Sequence, residues 1–218
     1  MHLPSKPHRL ARRLVQLYAG LLGYGISMAL MVEAGLGNQP WDVLHQGAAG
    51  LTGISIGTVA IVVGALVLLC WIPLRQRPGL GTISNILVIG PTLDIVMVAL
   101  PTPHGWALRV AYLLMGIVLC GFASGLYIGA NLGPGPRDGL MTGLAARGYS
   151  VRVVRTAIEI TVVAIGFLLG GVFGLGTLLY AVTIGPLAHV FIPMFTIDVP
   201  GKPSLGAPRE PDPALPAA

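Results

Sequence analysis

Charge is scarce in this sequence. Lys, Arg, Asp and Glu together make up 10% of its 218 residues, against roughly 25% in soluble domains, and a chain so poor in charge cannot coat itself for water. Catalytic signatures are missing too. There is no nucleophile elbow, no glycine-rich phosphate loop with its lysine and no His-Glu-x-x-His motif, so no enzyme, cofactor or metal site is expected. Cysteine is nearly absent: Cys70 and Cys120 lie in apolar runs without ligand spacing, where a thiol packs as a small hydrophobe. The net charge of +5 has no recognition motif around it, and the bases flank apolar runs, which points to membrane topology and away from a nucleic-acid partner.

What is abundant is apolar. Hydrophobic residues are 54% of the chain, and runs fall at 14–34, 55–74, 79–100, 107–130, 151–171 and 174–197, near the ~20 residues that cross a bilayer. These predict an all-α integral membrane protein with six transmembrane helices and the lipid bilayer as its first partner. Lys6, Arg9, Arg12 and Arg13, then Arg75 and Arg77, then Arg137, Arg147, Arg152 and Arg155 gather on alternate sides of the runs. By the positive-inside rule both termini are cytoplasmic. Val32-Glu33-Ala34 imitates a signal-peptide cleavage site, but the apolar stretch before it is too long for one, and the first helix is expected to be retained.

The chain also repeats itself. Leu36-Gly37-Asn38-Gln39-Pro40-Trp41-Asp42-Val43-Leu44 returns about 96 residues later as Leu132-Gly133-Pro134-Gly135-Pro136-Arg137-Asp138-Gly139-Leu140. Gly79-Leu80-Gly81-Thr82 with Ile89-Gly90-Pro91 returns as Gly174-Leu175-Gly176-Thr177 with Ile184-Gly185-Pro186. With three crossings per copy, the second copy is inverted relative to the first, the plan of many secondary transporters. The expected organisation is a basic N-terminus at 1–13, a first three-helix repeat at 14–104, an inverted second at 105–198, and a Pro- and Ala-rich disordered cytoplasmic tail at 199–218.

Each repeat contains a segment too short to span, after Pro40 and after Pro136. Asp42 and Asp138 fall where a first-turn acid complements the helix dipole. Such segments either lie in the interface or dip into the bundle and line a path. Gly90-Pro91 and Gly185-Pro186 either kink a helix for packing or free carbonyls at a site. No Asn-Pro-Ala signature of a water channel accompanies the short segments.

Ionisable residues at membrane depth are candidates for a substrate or ion pathway. Asp94 and its repeat equivalent His189 lie one turn beyond the Gly-Pro pairs, and Glu159 lies deep in the fifth run, one turn after Arg155. Glu159 either pairs with Arg155 along the helix or faces a cavity. Asp94 and His189 are either site residues or structural partners, and His45, with no second ligand at a clear spacing, is expected at an interface.

Gly-Leu-Gly-x-x-Pro-Trp-Asp-Val-Leu-His-Gln-Gly at 35–47, Thr-Gly-Ile-Ser-Ile-Gly-Thr at 52–58, Gly-Pro-Arg-Asp-Gly-Leu-Met at 135–141 and the late Ile-Gly-Pro make the chain resemble the YczE/YyaS/YitT group of bacterial membrane proteins, most closely its YczE branch. The resemblance covers roughly residues 14–195 and implies a bacterial inner-membrane protein. It carries over no substrate and no catalytic residue. The soluble C-terminal domain typical of the YitT branch is missing, which argues against ligand sensing through such a domain.

The expected function is a secondary transporter or facilitator of a small solute, with Asp42, Asp94, Asp138, Glu159 and His189 along its path. The broken-helix motif comprises Gly37, Pro40, Gly133, Pro136, Gly90, Pro91, Gly185 and Pro186. The rival is a membrane scaffold that docks an acidic cytoplasmic partner through the Arg-rich 131–155 loop, with an intramembrane enzyme built on Asp94 or Glu159 as a third reading. Small-residue faces would also allow a homodimer.

Overall fold

The computed structural model describes residues 8–197. The tail expected at 199–218 and residues 1–7 of the basic N-terminus lie outside the described residues. Within them the chain forms eight helices and no strand: α1 (His8–Ala34), α2 (Pro40–Thr52), α3 (Ile56–Leu74), α4 (Leu80–Ala99), α5 (Trp106–Gly129), α6 (Pro136–Ala145), α7 (Val151–Leu168) and α8 (Leu175–Phe195).

Five of these, α1, α3, α4, α5 and α8, are long and apolar enough to cross a membrane. The sixth expected crossing corresponds to α7, whose 18 residues hold Arg152, Arg155 and Glu159. The other five each contain an 18-residue stretch with no more than two charges, and α7 does not. The outer surface is that of a membrane protein: Val98 is 90% and Leu168 82% exposed, a cost in water that lipid removes.

The two short segments are α2 and α6, of 13 and 10 residues, or about 20 and 15 Å at 1.5 Å per residue, against ~30 Å of hydrocarbon. Pro40 and Pro136 open them, where a missing N–H leaves no bond unmade. Gly53, in the left-handed region at φ 73°, closes α2. Two residues later Ser55 accepts the Thr58 N–H at 3.1 Å and starts α3. The loops that lead into α2 and α6 each turn on a glycine at positive φ, Gly37 at 116° and Gly133 at 127°, a region costly to any side chain.

The interface between α1 and α5 is the most extensive in the bundle, and these two helices run antiparallel. Arg13 donates to the carbonyls of Ala130 at 2.8 Å and Asn131 at 2.7 Å. Arg109 donates to those of Ala34 at 2.7 Å and Gly35 at 2.9 Å. Each guanidinium therefore satisfies the orphan carbonyls of the other helix and complements its negative end. Between these ends the backbones approach closely: a Cβ on Gly20 would stand 2.6 Å from the Tyr127 nitrogen, and one on Gly116 3.0 Å from the Ser27 carbonyl oxygen.

Around this pair, α4 packs on α1 and α8 on α5, while α2 and α6 each lie against both α3 and α7. One core cluster joins α1, α5 and α8 through Met31, Leu113, Cys120 and Ile184, and another joins α1, α4 and α5 through Leu21, Met28, Leu93 and Tyr127. Trp41, Val67 and Val162 pack α2, α3 and α7 together. The loop before each short helix docks on the start of a long helix from the other half of the chain. The Gly81 N–H donates to the Leu132 carbonyl at 2.9 Å, and the Gly176 N–H to that of Leu36 at 2.8 Å.

Candidate functional site

The short helices begin beside one another and lead away in opposite directions. Arg137, the second residue of α6, stands 4.0 Å from Asp42, the third of α2, and its guanidinium lies 5.1 Å from the centre of the Trp41 ring. From there α2 runs to Ser55 at one end of α3, and α6 runs toward the other end, where Arg147 donates to the Pro73 carbonyl. Trp71 anchors the start of α6 by donating from Nε1 to the Pro136 carbonyl at 3.0 Å.

Asp42 has no exposed surface. One carboxylate oxygen accepts Gln39 Nε2, and the other accepts His45 Nδ1 at 3.1 Å and faces Arg137. The Tyr24 hydroxyl donates to Gln39 Oε1 at 3.0 Å, and the Tyr127 hydroxyl donates to Asp138 at 2.8 Å. The two tyrosine rings meet edge to face at 6.1 Å. Each helix N-terminus contributes about half a positive charge. With Arg137 added, the positive charge at the junction is about that of the two carboxylates, so the interior holds separated charges of both signs with little net charge. Asn38 Oδ1, Trp41 Nε1 and His45 Nε2 are buried there without a partner among the described residues, atoms of the kind that hold a water or a ligand.

Two small cavities touch the junction. One, of ≈ 60 Å³, is lined by Gly64, Asn85, Tyr127, Arg137 and Asp138. The other, of ≈ 70 Å³, is lined by Gln39, Trp41, Arg137, Arg155, Glu159 and Tyr180. Both suit a few waters. The second adjoins, at Pro40 and Glu159, an open cleft of ≈ 750 Å³ between α7 and α8.

Of the residues singled out from sequence, the fold brings Asp42, Asp138 and Glu159 to this region. Glu159 accepts Arg155 Nε at 2.8 Å, so it both pairs along its helix and lines a cavity. Asp94 is engaged elsewhere: it accepts the Ser55 hydroxyl at 2.7 Å and the Gly57 N–H at 2.8 Å, and so clasps the start of α3 to α4. His189 is exposed on α8. His45, expected at an interface, is fully buried behind Asp42. Gly37, Pro40, Gly133 and Pro136 shape the loops that lead into α2 and α6; Gly90 and Pro91 lie within α4, and Gly185 and Pro186 within α8. Arg137 is the residue whose importance the sequence hid. It counts there as one more cytoplasmic-loop base, whereas it turns into the interior. Its place between Pro136 and Asp138, inside the repeated motif, was the available signal.

The chain belongs to the DUF6198 family, described as a family of unknown function, whose model matches residues 11–193. It is 46% identical over 169 residues to an uncharacterized protein of Haemophilus influenzae, covering 77% of this chain and 78% of that one. Over 180 residues it is 32% identical to the uncharacterized membrane protein YczE of Bacillus subtilis, covering 81% and 83%. Over 182 residues it is 26% identical to the uncharacterized protein YyaS of the same organism, covering 80% and 90%. No solved structure matches. The YczE-like family and the apolar helices together make this a multi-pass membrane protein.

Proposed function

We propose that this member of the DUF6198 family is a secondary transporter or facilitator of a small solute. It is built from six crossings in two inverted three-helix repeats, with both termini on the cytoplasmic side of the bacterial inner membrane. The observation that carries the proposal is the junction: two half-helices from different halves of the chain meet with their N-termini together, around Arg137, Asp42 and Asp138. Half-helix ends and unwound loops are tolerated at membrane depth where they line a path. The repeat plan draws support from the antiparallel α1 and α5, the reciprocal Arg13 and Arg109 caps, and the reciprocal docking of the two loops. As the sixth crossing, α7 turns Glu159 toward the small cavity.

In the working mechanism α2 lines one vestibule and α6 the other. Solute meets Arg137 and the carboxylates between them, Glu159 lies on the approach, and rocking of one repeat against the other exchanges access. The scaffold alternative loses ground because three arginines of the 131–155 region are engaged within the chain. Arg137 lies over Trp41, Arg147 reaches Pro73, and Arg155 pairs with Glu159.

The test is a thermal-stability screen of purified protein against metabolites, amines, organic acids and ions at acid and alkaline pH, followed by flux of each hit in proteoliposomes. A ligand that binds only the folded state raises the melting temperature. The expected hit loses its shift and its flux in Asp42→Asn and Arg137→Gln, variants checked for retained folding. Unchanged flux in both folded variants would remove the junction from the path.

A further inference from the structure

The halves of the chain are not equivalent, and their difference is written in the sequence. Ser55 opens α3 and Ser150 opens α7; Val59 and Val67 are buried on α3 as Val154 and Val162 are on α7. In this register Gly57 corresponds to Arg152, Ala60 to Arg155, Gly64 to Glu159 and Asp94 to His189. The changes at Gly57, Gly64 and Asp94 fall on the contact between the second and third long helices of the first half. A Cβ on Gly57 would strike the Gly90 carbonyl, and one on Gly90 would stand 2.5 Å from the Gly57 oxygen, whereas one on Gly185, the counterpart of Gly90, would have nothing within 4 Å among the described residues. Asp94 clasps α3 to α4 through Ser55 and Gly57, but its counterpart is His189, an exposed imidazole in place of the carboxylate, and no such clasp joins it to Ser150 or Arg152 among the described residues. Accordingly α3 packs on α4, while α7 makes almost no contact with α8.

We infer that the cleft between α7 and α8 is a lateral portal, open by construction, that takes an amphiphile from the bilayer: an apolar chain in the cleft and a zwitterionic headgroup at the Arg155–Glu159 pair. This deepens the transport proposal and rests on it for the fate of the ligand, though not for binding. The cleft holds ≈ 750 Å³, within the range of ligand sites. Its walls of Ile160, Val163, Ala164, Phe167 and Leu178 match an apolar chain. Its inner end is Glu159, which holds Arg155 at 2.8 Å and borders the chamber containing Arg137 and Asp138. A net anion there meets two acids and a net cation two arginines, so a headgroup with both signs complements both. Because the portal opens sideways into lipid, it can stand open without leaking water across the membrane. Access on the other side then changes through the α3–α4 pair.

The probes are three amphiphiles with one diazirine-bearing acyl chain and a phosphocholine, phosphate or trimethylammonium head, photolysed with the protein in proteoliposomes and mapped by mass spectrometry. The expected result is saturable phosphocholine labelling of Ile160, Ala164 and Leu178, competed by unlabelled lysophosphocholine. It should fall about tenfold, worth 1.4 kcal/mol, in Ala164→Trp with Ala181→Trp, and headgroup preference should weaken in Glu159→Gln. If the double variant does not fold, Ala164→Leu replaces it. Non-saturable labelling spread over all lipid-facing helices, equal labelling in the filled variant, or a preference for either singly charged head overturns the inference. Loss of the portal with retained Asp42-dependent flux of a water-soluble solute leaves the transport proposal standing. Saturable labelling with flux indifferent to Asp42 and Arg137 does the reverse.

Discussion

The contact between Asp42 and Arg137 should carry measurable coupling energy, because it joins two helices that otherwise belong to different halves of the chain. Unit charges 4.0 Å apart attract by about 4 kcal/mol at an effective dielectric constant of 20. The Arg137 side chain is 24% exposed while that of Asp42 is 0% exposed. Water therefore screens one end, and Asp138 beside Arg137 retains part of the attraction when Asp42 is neutralised. About half of the Coulomb figure should survive, a coupling near 2 kcal/mol. Asp42→Asn alone should cost about 3 kcal/mol, since it leaves Arg137 without one acid and turns an amide toward Gln39 and His45. A double-mutant cycle of Asp42→Asn and Arg137→Gln, read by reversible unfolding in mixed micelles, isolates the pair from the dipole effect common to both Asp42 variants. Neutral side-chain hydrogen bonds in membrane bundles average about 0.6 kcal/mol in such cycles, and this ion pair should exceed that. Additivity within about 0.5 kcal/mol would mean the short helices are not tied by this pair, and the junction would lose its electrostatic basis.

Removing either reciprocal cap, by Arg13→Gln or Arg109→Gln, should cost about 1–3 kcal/mol, and similar losses in the two variants would support equivalent roles; a loss confined to one would break the reciprocity. Gly90→Ala should destabilise by about 1–3 kcal/mol through overpacking on Gly57, whereas Gly185→Ala, with nothing to strike, should gain up to about 1 kcal/mol of helix propensity. Thermal melts of this pair check it, and equal losses would contradict the splayed α7 and α8. Trp71→Phe removes the donor to the Pro136 carbonyl and should cost about 1–2 kcal/mol, read in the same melts; an unchanged melting temperature would show that this bond does not anchor α6.

Much of this architecture was legible because it rests on periodicity and punctuation. Apolar runs located the long helices to within about three residues except at the start of α1, which begins at His8 and not at 14, and Pro40, Pro136, Gly37 and Gly133 marked where the chain breaks. The repeated Gly-Leu-Gly-Thr was equally visible, but its purpose was not. Gly81 and Gly176 receive a loop from the opposite half of the chain, a long-range pairing that no local pattern encodes. The same limit hid Arg137. A base in a membrane-flanking loop is ordinarily explained by topology, and only the inward turn after Gly133 shows that this one lies on Trp41. Asp94 was open in the sequence to two readings, a site residue or a structural partner. An acid at membrane depth is a site candidate by default, and here it accepts from Ser55, 39 residues earlier, at the start of α3, a pairing that no local pattern encodes.

The most telling departure from the repeat is at its centre. Trp41 and Arg137 occupy the same place in the two copies of the motif, each between a proline and an aspartate, and the fold lays one across the other. Identical copies could not make this contact. Two arginines would face each other between two positive helix ends, and two tryptophans would leave Asp42 and Asp138 with no cation between them. A repeated short helix can therefore close on its copy only after this position has diverged. Trp41→Arg should be the most damaging single change at the junction and Arg137→Trp the next. The exchange of both should be less destabilising than the sum of the singles by at least about 1 kcal/mol, since it restores one cation on one ring. Trp41 is also buried against Val67 and Val162, so the exchange should not restore full stability. A double variant whose loss equals the sum of the singles would show that Trp41 serves α2–α3–α7 packing alone, and that the stacking on Arg137 is a consequence of the junction and not a condition for it.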